Sequence, residues 1–326
     1  MKTMNAAEAL QQVIAETTQS NVNREPAGLY EPINYLMGLG GKRLRPALVL
    51  LAHALHADDQ RPCIQPAMAV ETFHNFSLMH DDLMDKAPLR RGKPTVHTRW
   101  NAQTAILSGD AMLVMAYQQI ASVQPAILGR VLSRFSTTAL EVCEGQQLDM
   151  DFETRNQVTE AEYLEMIRLK TAVLLGFSLE LGALAGGATE NDAANLHAIG
   201  TALGIGFQLM DDILDVYGDP EKFGKQTGGD IVSNKKTFLL IKALETANPA
   251  QAGELQNLLS TEDYNPEEKV AAVTAIYNQL NIRAVAEAKM QEYYNRALNG
   301  LAGIPGRPAA KAELEKYCLA LIGRDM

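Results

Sequence analysis

An all-α fold is predicted by three features of the sequence. Apolar residues recur at helical spacing through most of its length. Ala, Leu, Met, Gln and Glu, all good helix formers, dominate the composition. Runs of alternating β-branched residues, the mark of half-buried strands, are absent.

Helices are expected, in order, at residues 5–19, 27–38, 43–57, 63–85, 101–121, 125–151, 160–186, 190–218, 233–246, 250–260, 267–298 and 308–322. Breaks fall where Gly and Pro gather: at Gly40-Gly41, from Pro88 to Pro94, at Gly186-Gly187, from Asp219-Pro220 to Gly229, and from Gly303 to Pro308. No break is long or polar enough to separate two domains, and no repeat of fixed period is present. Residues 1–326 are therefore read as one domain. The helices at 125–151, 160–186 and 190–218 are apolar on most sides, which places them in a core. A bundle of such helices can enclose a deep apolar pocket.

Composition narrows the function. Apolar residues make up 47% and charged residues 21%, as in an ordinary globular protein. The net charge of -10 argues against nucleic acid as a partner, because an acidic surface repels a phosphate backbone. Cys63, Cys143 and Cys318 lie far apart with no CxxC spacing, so they build neither a disulfide framework nor a thiolate metal site. A reducing cytoplasm is the expected compartment. The N-terminus lacks the apolar centre of a secretory signal. The most apolar stretch, Ala172 to Ala188, is interrupted by Glu180 and rich in glycine. It reads as a buried helix, since a membrane span needs about 20 apolar residues with few charges.

Two acidic motifs stand out. Asp81, Asp82 and Asp85 lie in FHNFSLMHDDLMDK, and Asp211, Asp212 and Asp215 repeat the spacing in GFQLMDDILDVYGD. On a helix, residues four apart share a face, so Asp81 and Asp85 project together, as do Asp211 and Asp215. Like charges there repel one another, and a helix C-terminus disfavours negative charge further. Each cluster thus breaks two rules of helix stability in the same way, which calls for a bound cation. Oxygen-only ligands suit a hard ion. Magnesium shares itself with waters and phosphates, and the central glycine of a calcium loop is missing.

Basic clusters indicate what such ions would hold. GGKRLRP places Lys42, Arg43 and Arg45 after a glycine pair at a helix start, where backbone N–H groups also favour anions. No Ser or Thr follows the lysine, so this is not a Walker loop. PLRRGKPTVH supplies Arg90, Arg91, Lys93 and His97 in a loop stiffened by Pro88 and Pro94, and arginine forks match phosphate oxygens. DPEKFGKQTGGDIVSNKK offers Lys225, Lys235 and Lys236 among glycines, as in a mobile lid. Cations beside metal-binding carboxylates imply a polyanionic ligand. Lys170-Thr171 and Gln208 interrupt apolar helices, and a buried lysine is costly without a partner. His74 lies seven residues before Asp81 on the same helical face, and His80 adjoins it.

In order and spacing, GGKRLRP, LMHDDLMD, LRRGKPTVH, LKT, GFQLMDDILD, GDPEKFGK and NKKT resemble the trans-polyprenyl synthetases, which include farnesyl and geranylgeranyl diphosphate synthases. The C-terminal third matches weakly. The resemblance implies a single-domain helical bundle of the isoprenoid synthase type. It implies that Asp81, Asp85 and Asp211 bind magnesium directly, that Asp82, Asp212 and Asp215 complete the two motifs, and that about three ions are held. Lys42, Arg45, His74 and Arg91 would hold isopentenyl diphosphate. Arg90, Lys170, Lys225 and Lys235 would hold the allylic diphosphate, which is dimethylallyl, geranyl or farnesyl, with Thr171 and Gln208 near the reacting carbons. The family is usually a homodimer.

Product length is expected to depend on Phe73, Phe76 and Ser77, which would floor the pocket for the growing chain. In the family, an aromatic five positions before the first motif, here Phe76, shortens the product. The motif carries no two-residue insertion, and small Ser77 stands where the animal farnesyl type has a second aromatic. This combination resembles C20 producers more than C15 ones. An ideal wheel places Phe76 about 140° from Asp81 and Ser77 about 40° away, so the floor role of Phe76 comes from the resemblance alone. A class I terpene cyclase shares the bundle and the first motif, but its second normally mixes Asn, Ser or Thr with Glu. A non-catalytic partner subunit usually loses an acidic motif, whereas both are intact here.

Overall fold

The computed structural model describes residues 3–19, 23–219, 227–261 and 265–323. Its helices are α1 (Ala6–Gln19), α2 (Ala27–Gly38), α3 (Leu44–Ala54), α4 (Ile64–Met84), α5 (Val96–Arg99), α6 (Ala102–Ile120), α7 (Pro125–Thr154), α8 (Glu160–Ile167), α9 (Val173–Gly186) and α10 (Glu190–Tyr217). Then follow α11 (Gly229–Val232), α12 (Phe238–Thr246), α13 (Pro249–Ser260), α14 (Pro266–Gln279), α15 (Ile282–Ala302) and α16 (Pro308–Ile322). Several helix N-termini are set by side chains that satisfy the first free N–H groups. Thr159 with Glu162 and Asn248 with Gln251 form capping boxes, and Asn101, Thr237 and Asn265 accept from the first turns of α6, α12 and α14.

Three departures from the expected elements have local causes. The helix expected at 267–298 is two, α14 and α15, because Asn281 takes a left-handed φ of 54° between them, with no Gly or Pro to announce it. The helix expected from 233 begins at Phe238, after the short α11. Between Pro88 and Pro94 lies a small antiparallel hairpin, β1 (Leu89–Arg90) with β2 (Lys93–Pro94). Arg91 and Gly92 turn it with φ of 51° and 73°, the pair of positive values that a tight two-residue hairpin requires.

The residues gather into two compact units. The first comprises Met1–Thr138, Leu174–His197 and Gly303–Glu315, and the second Ala139–Val173, Ala198–Ala302 and Lys316–Met326. In the first, α4 packs along α6 and against α1, α2 and α3. Its core includes Leu48, Phe73, Phe135 and Phe177, all fully buried. Glu180, the acidic interruption of the apolar stretch, is buried there and meets Arg134 at 3.1 Å and His197 at 2.8 Å. In the second unit, α15 packs on α12 and α14, and α14 supports α11 and α13. Tyr163, Tyr277 and Tyr294 fill its interior. Residues 160–186 form one helical run, widened by a π turn at Arg168–Ala172. Among the described residues this run alone is long and apolar enough to cross a membrane. Since 78% of its most apolar window is buried inside the protein, it behaves as a core helix.

Candidate active site

In the first unit the arginines of two segments converge on His74. Arg45 from α3, Arg90 and Arg91 from the hairpin, and Arg43 all act on it electrostatically. Burial first, and then these four charges, hold His74 well below its usual range, so the ring is neutral. Arg45 is itself lowered to about 10, by burial first and in part by Arg91. Its Nε is buried with no hydrogen-bond partner. A buried guanidinium with an unsatisfied donor, beside like charges, is costly until an anion fills the site. Arg43 has a different task from the one its neighbours suggest. It is buried, with its guanidinium on Glu71 Oε1 at 2.5 Å and on the Met37 carbonyl at 2.6 Å. It therefore holds the loop rather than facing a ligand. Arg91 donates to the Gly40 carbonyl. Gly41 has φ of 131°, and a Cβ there would come within 2.8 Å of the Arg91 guanidinium, so the glycine pair makes the room in which Arg91 sits. Lys42 and Lys93 are exposed beside this cluster, and His97 takes a hydrogen-bond distance of 3.2 Å from Thr95.

The first acidic motif ends α4. Asp82 is buried and accepts from Arg90 Nε at 2.7 Å, while Arg90 reaches Asp81 at 3.8 Å. Burial, opposed by Arg90, raises the Asp82 carboxyl, and its Oδ1 has no partner. Asp81 is partly exposed and Asp85 exposed. Phe76, on the same helix, is 8% exposed and packs against Phe73 at 5.4 Å and His80 at 4.9 Å. Phe73 is fully buried against Phe135, 5.3 Å away. Ser77 is half-buried and donates to the His74 carbonyl at 2.8 Å.

The second motif, in the second unit, repeats the division of labour. Asp212 is buried and accepts from the Tyr163 hydroxyl, from Gln208 Nε2 at 3.1 Å and from the Phe238 N–H at 3.4 Å. Burial, with the charge of Asp230 adding to it, pushes Asp212 up to about 7. Asp211 is exposed. Asp215 is half-buried and accepts from the Asp230 N–H at 3.0 Å, so it also anchors the loop that leads to the lysines. In each motif the middle aspartate is enclosed by protein partners and the outer ones lie toward solvent. Thr171 and Gln208 are brought together, Oγ1 to Oε1 at 3.4 Å, and the Gln208 amide continues to Asp212.

Lys170 and Thr171 lie in the π turn, and glycines of two helices close on it. A Cβ on Gly145 of α7 would stand 2.7 Å from the Leu169 carbonyl carbon, and one on Gly204 of α10 would stand 2.5 Å from Ala172 Cα. Lys170 Nζ donates to Asp149 Oδ2 at 2.6 Å, and Lys235 Nζ is 3.9 Å from the same oxygen. Lys236 donates to the Asn234 carbonyl at 3.3 Å. Lys225 lies outside the described residues. Asp149 and Tyr163 escaped the sequence reading. Asp149 is one acid among several in EGQQLDMDFE, and Tyr163 is one aromatic at a core position.

A model of the polyprenyl synthetase family matches residues 26–278. The chain belongs to the polyprenyl synthetase family. It is a prenyltransferase, and its relatives narrow the type. It is 45% identical over 222 residues to the geranylgeranyl diphosphate synthase of Methanosarcina mazei, covering 68% of each chain. It is 36% identical over 278 residues to the (2E,6E)-farnesyl diphosphate synthase of Mycobacterium bovis, covering 84% of this chain and 77% of that one. A crystal structure of a geranylgeranyl pyrophosphate synthase superposes with a TM-score of 0.92 at 43% identity, over 99% of this polyprenyl synthetase and 100% of that chain.

Proposed function

We propose that this enzyme is a short-chain trans-prenyl diphosphate synthase that condenses isopentenyl diphosphate with an allylic diphosphate, with a C20 product favoured over C15. The observation that carries the reading is the arginine cluster on a neutral His74, with the buried Nε of Arg45 lacking a partner. A site assembled against its own charge repulsion is complementary to a diphosphate. Lys42, Arg45, His74 and Arg91 hold isopentenyl diphosphate. Arg90, Lys170 and Lys235 hold the allylic diphosphate, together with Lys225.

The donor set fits magnesium. It consists of carboxylate oxygens alone, with outer aspartates toward solvent and Asp82 Oδ1 still unpaired. Among the described residues no three His, Cys, Asp or Glu side chains stand close enough to hold an ion by themselves. Asp81, Asp85 and Asp211 are the direct ligands in this reading, and phosphate and water oxygens supply the rest. When bound, magnesium neutralises charge on the departing diphosphate as a Lewis acid. Lys170 and Lys235 place N–H donors against the same oxygens as the allylic C–O bond breaks. The alkene of isopentenyl diphosphate attacks the allylic cation, and a proton then passes to the released diphosphate. Thr171 and Gln208 face the cation with oxygen dipoles, and apolar walls keep water from it. The enzyme works as a homodimer in this proposal, for which Ile106, Leu107 and Val114 on α6 offer an exposed apolar face.

Incubation of purified protein with isopentenyl diphosphate and labelled geranyl or farnesyl diphosphate tests the reading. Mainly C20 product is expected with magnesium, and none after chelation. A cyclised hydrocarbon, or activity only on addition of another subunit, would overturn it. Phe76→Ala is expected to lengthen the main product by one or more five-carbon units, read by chromatography of the dephosphorylated alcohols. An unchanged distribution would place the floor elsewhere.

A further inference from the structure

We propose that Asp149 is a positioning residue that clasps Lys170 and Lys235 into one diphosphate-facing pair. This rests on the reading that these lysines receive the allylic diphosphate. The two amines come from unlike places, one from the π turn and the other from the segment after α11. A single oxygen, Asp149 Oδ2, lies 2.6 Å from the first and 3.9 Å from the second. The Asp149 side chain is 15% exposed and that of Lys170 21%, so solvent screens this pair weakly, whereas Lys235, 43% exposed, is held at the longer distance by charge alone.

Each lysine ends a flexible four-carbon stem whose rotamer freedom is lost when the ammonium is fixed. A carboxylate that already holds both amines lowers the entropy lost when they close on a ligand. An ammonium has three N–H donors, so one lysine can serve a carboxylate and a phosphate oxygen at once. The backbone of Lys235 is held from the other side. Its N–H donates to the Asp230 carbonyl at 2.9 Å. The preceding Asn234, with φ of 55°, accepts from the buried Lys269 of α14 at 2.6 Å and donates to the Leu259 carbonyl at 3.0 Å. Lys269 thus gives α14 a part in holding the site.

Loss of the clasp has two opposing effects on ground-state binding: the lysines lose order, and repulsion between Asp149 and the diphosphate disappears. The rate of the chemical step carries no such cancellation, because donors must stand where charge develops. The test is steady-state kinetics of Asp149→Asn and Asp149→Glu beside the wild type. For Asp149→Asn, kcat is expected to fall at least tenfold. KM for isopentenyl diphosphate should stay within about twofold, and the melting temperature should stay within a few degrees. Asp149→Glu is expected to recover a substantial part of kcat by restoring the carboxylate. A kcat for Asp149→Asn within twofold of wild type would overturn the clasp, and so would a loss that merely tracks a fall in melting temperature. Wild-type protein that fails to condense the two diphosphates would instead sink the functional reading.

Discussion

Asp211→Ala is expected to abolish prenyl transfer, lowering kcat roughly a thousandfold or more while leaving the fold intact, and Asp81→Ala should do the same. The reasoning starts from exposure. Asp211 is exposed and Asp81 partly so, and neither is enclosed in the core, so alanine there removes charge without opening a cavity. A thousandfold loss is about 4 kcal/mol of transition-state stabilisation, the scale attributed to a metal or a preorganised donor at a leaving group. The neighbouring positions provide the contrast. Asp212 is buried with Tyr163, Gln208 and the Phe238 N–H upon it, so Asp212→Ala orphans those donors. That variant should lose stability as well as rate, by about 1–3 kcal/mol. Turnover and thermal melts on the three variants separate the cases. Wild-type rates in Asp81→Ala or Asp211→Ala would falsify the metal assignment.

Gly145→Ala is expected to damage both stability and activity. An added Cβ would lie 2.7 Å from the Leu169 carbonyl carbon and from Lys170 Cα, with the Lys170 backbone nitrogen closer still. These are backbone atoms, which cannot swing aside as a side-chain tip can, so the helices must separate or the π turn must shift. Overpacking of this kind costs about 1–3 kcal/mol, occasionally more. The displaced atoms belong to the turn that presents Lys170 and Thr171, so rate should fall further than stability alone accounts for. Gly129, on the same helix, meets nothing within 4 Å. Gly129→Ala should therefore be neutral or stabilising by up to about 1 kcal/mol, with activity unchanged. Equal melting temperatures for the two alanine variants would refute the packing argument.

Most helices were legible because their cause is local. An apolar period and a capping residue act within a few positions, so α2 begins and ends where the spacing predicts and α14 starts behind Asn265. The division of 267–298 was not legible, since Asn281 turns left-handed without the usual markers. The hairpin at 89–94 was hidden by its shortness, although Arg91-Gly92 carries the turn. Lys225 lies outside the described residues, so its part in the site rests on the family resemblance.

What the sequence determined by itself is the helical class, the two aspartate motifs and the cations near them, because spacing of three or four fixes which residues share a helical face. What the tertiary structure decided is how each helix is turned. Spacing sets angles between side chains but not the direction of the set, which depends on what packs behind the helix. Hence Asp82 and Asp212 face inward while Asp211 and Asp85 face outward, Arg43 is given to Glu71 while Arg45 keeps an unsatisfied donor, and Asp149 meets two lysines from distant segments.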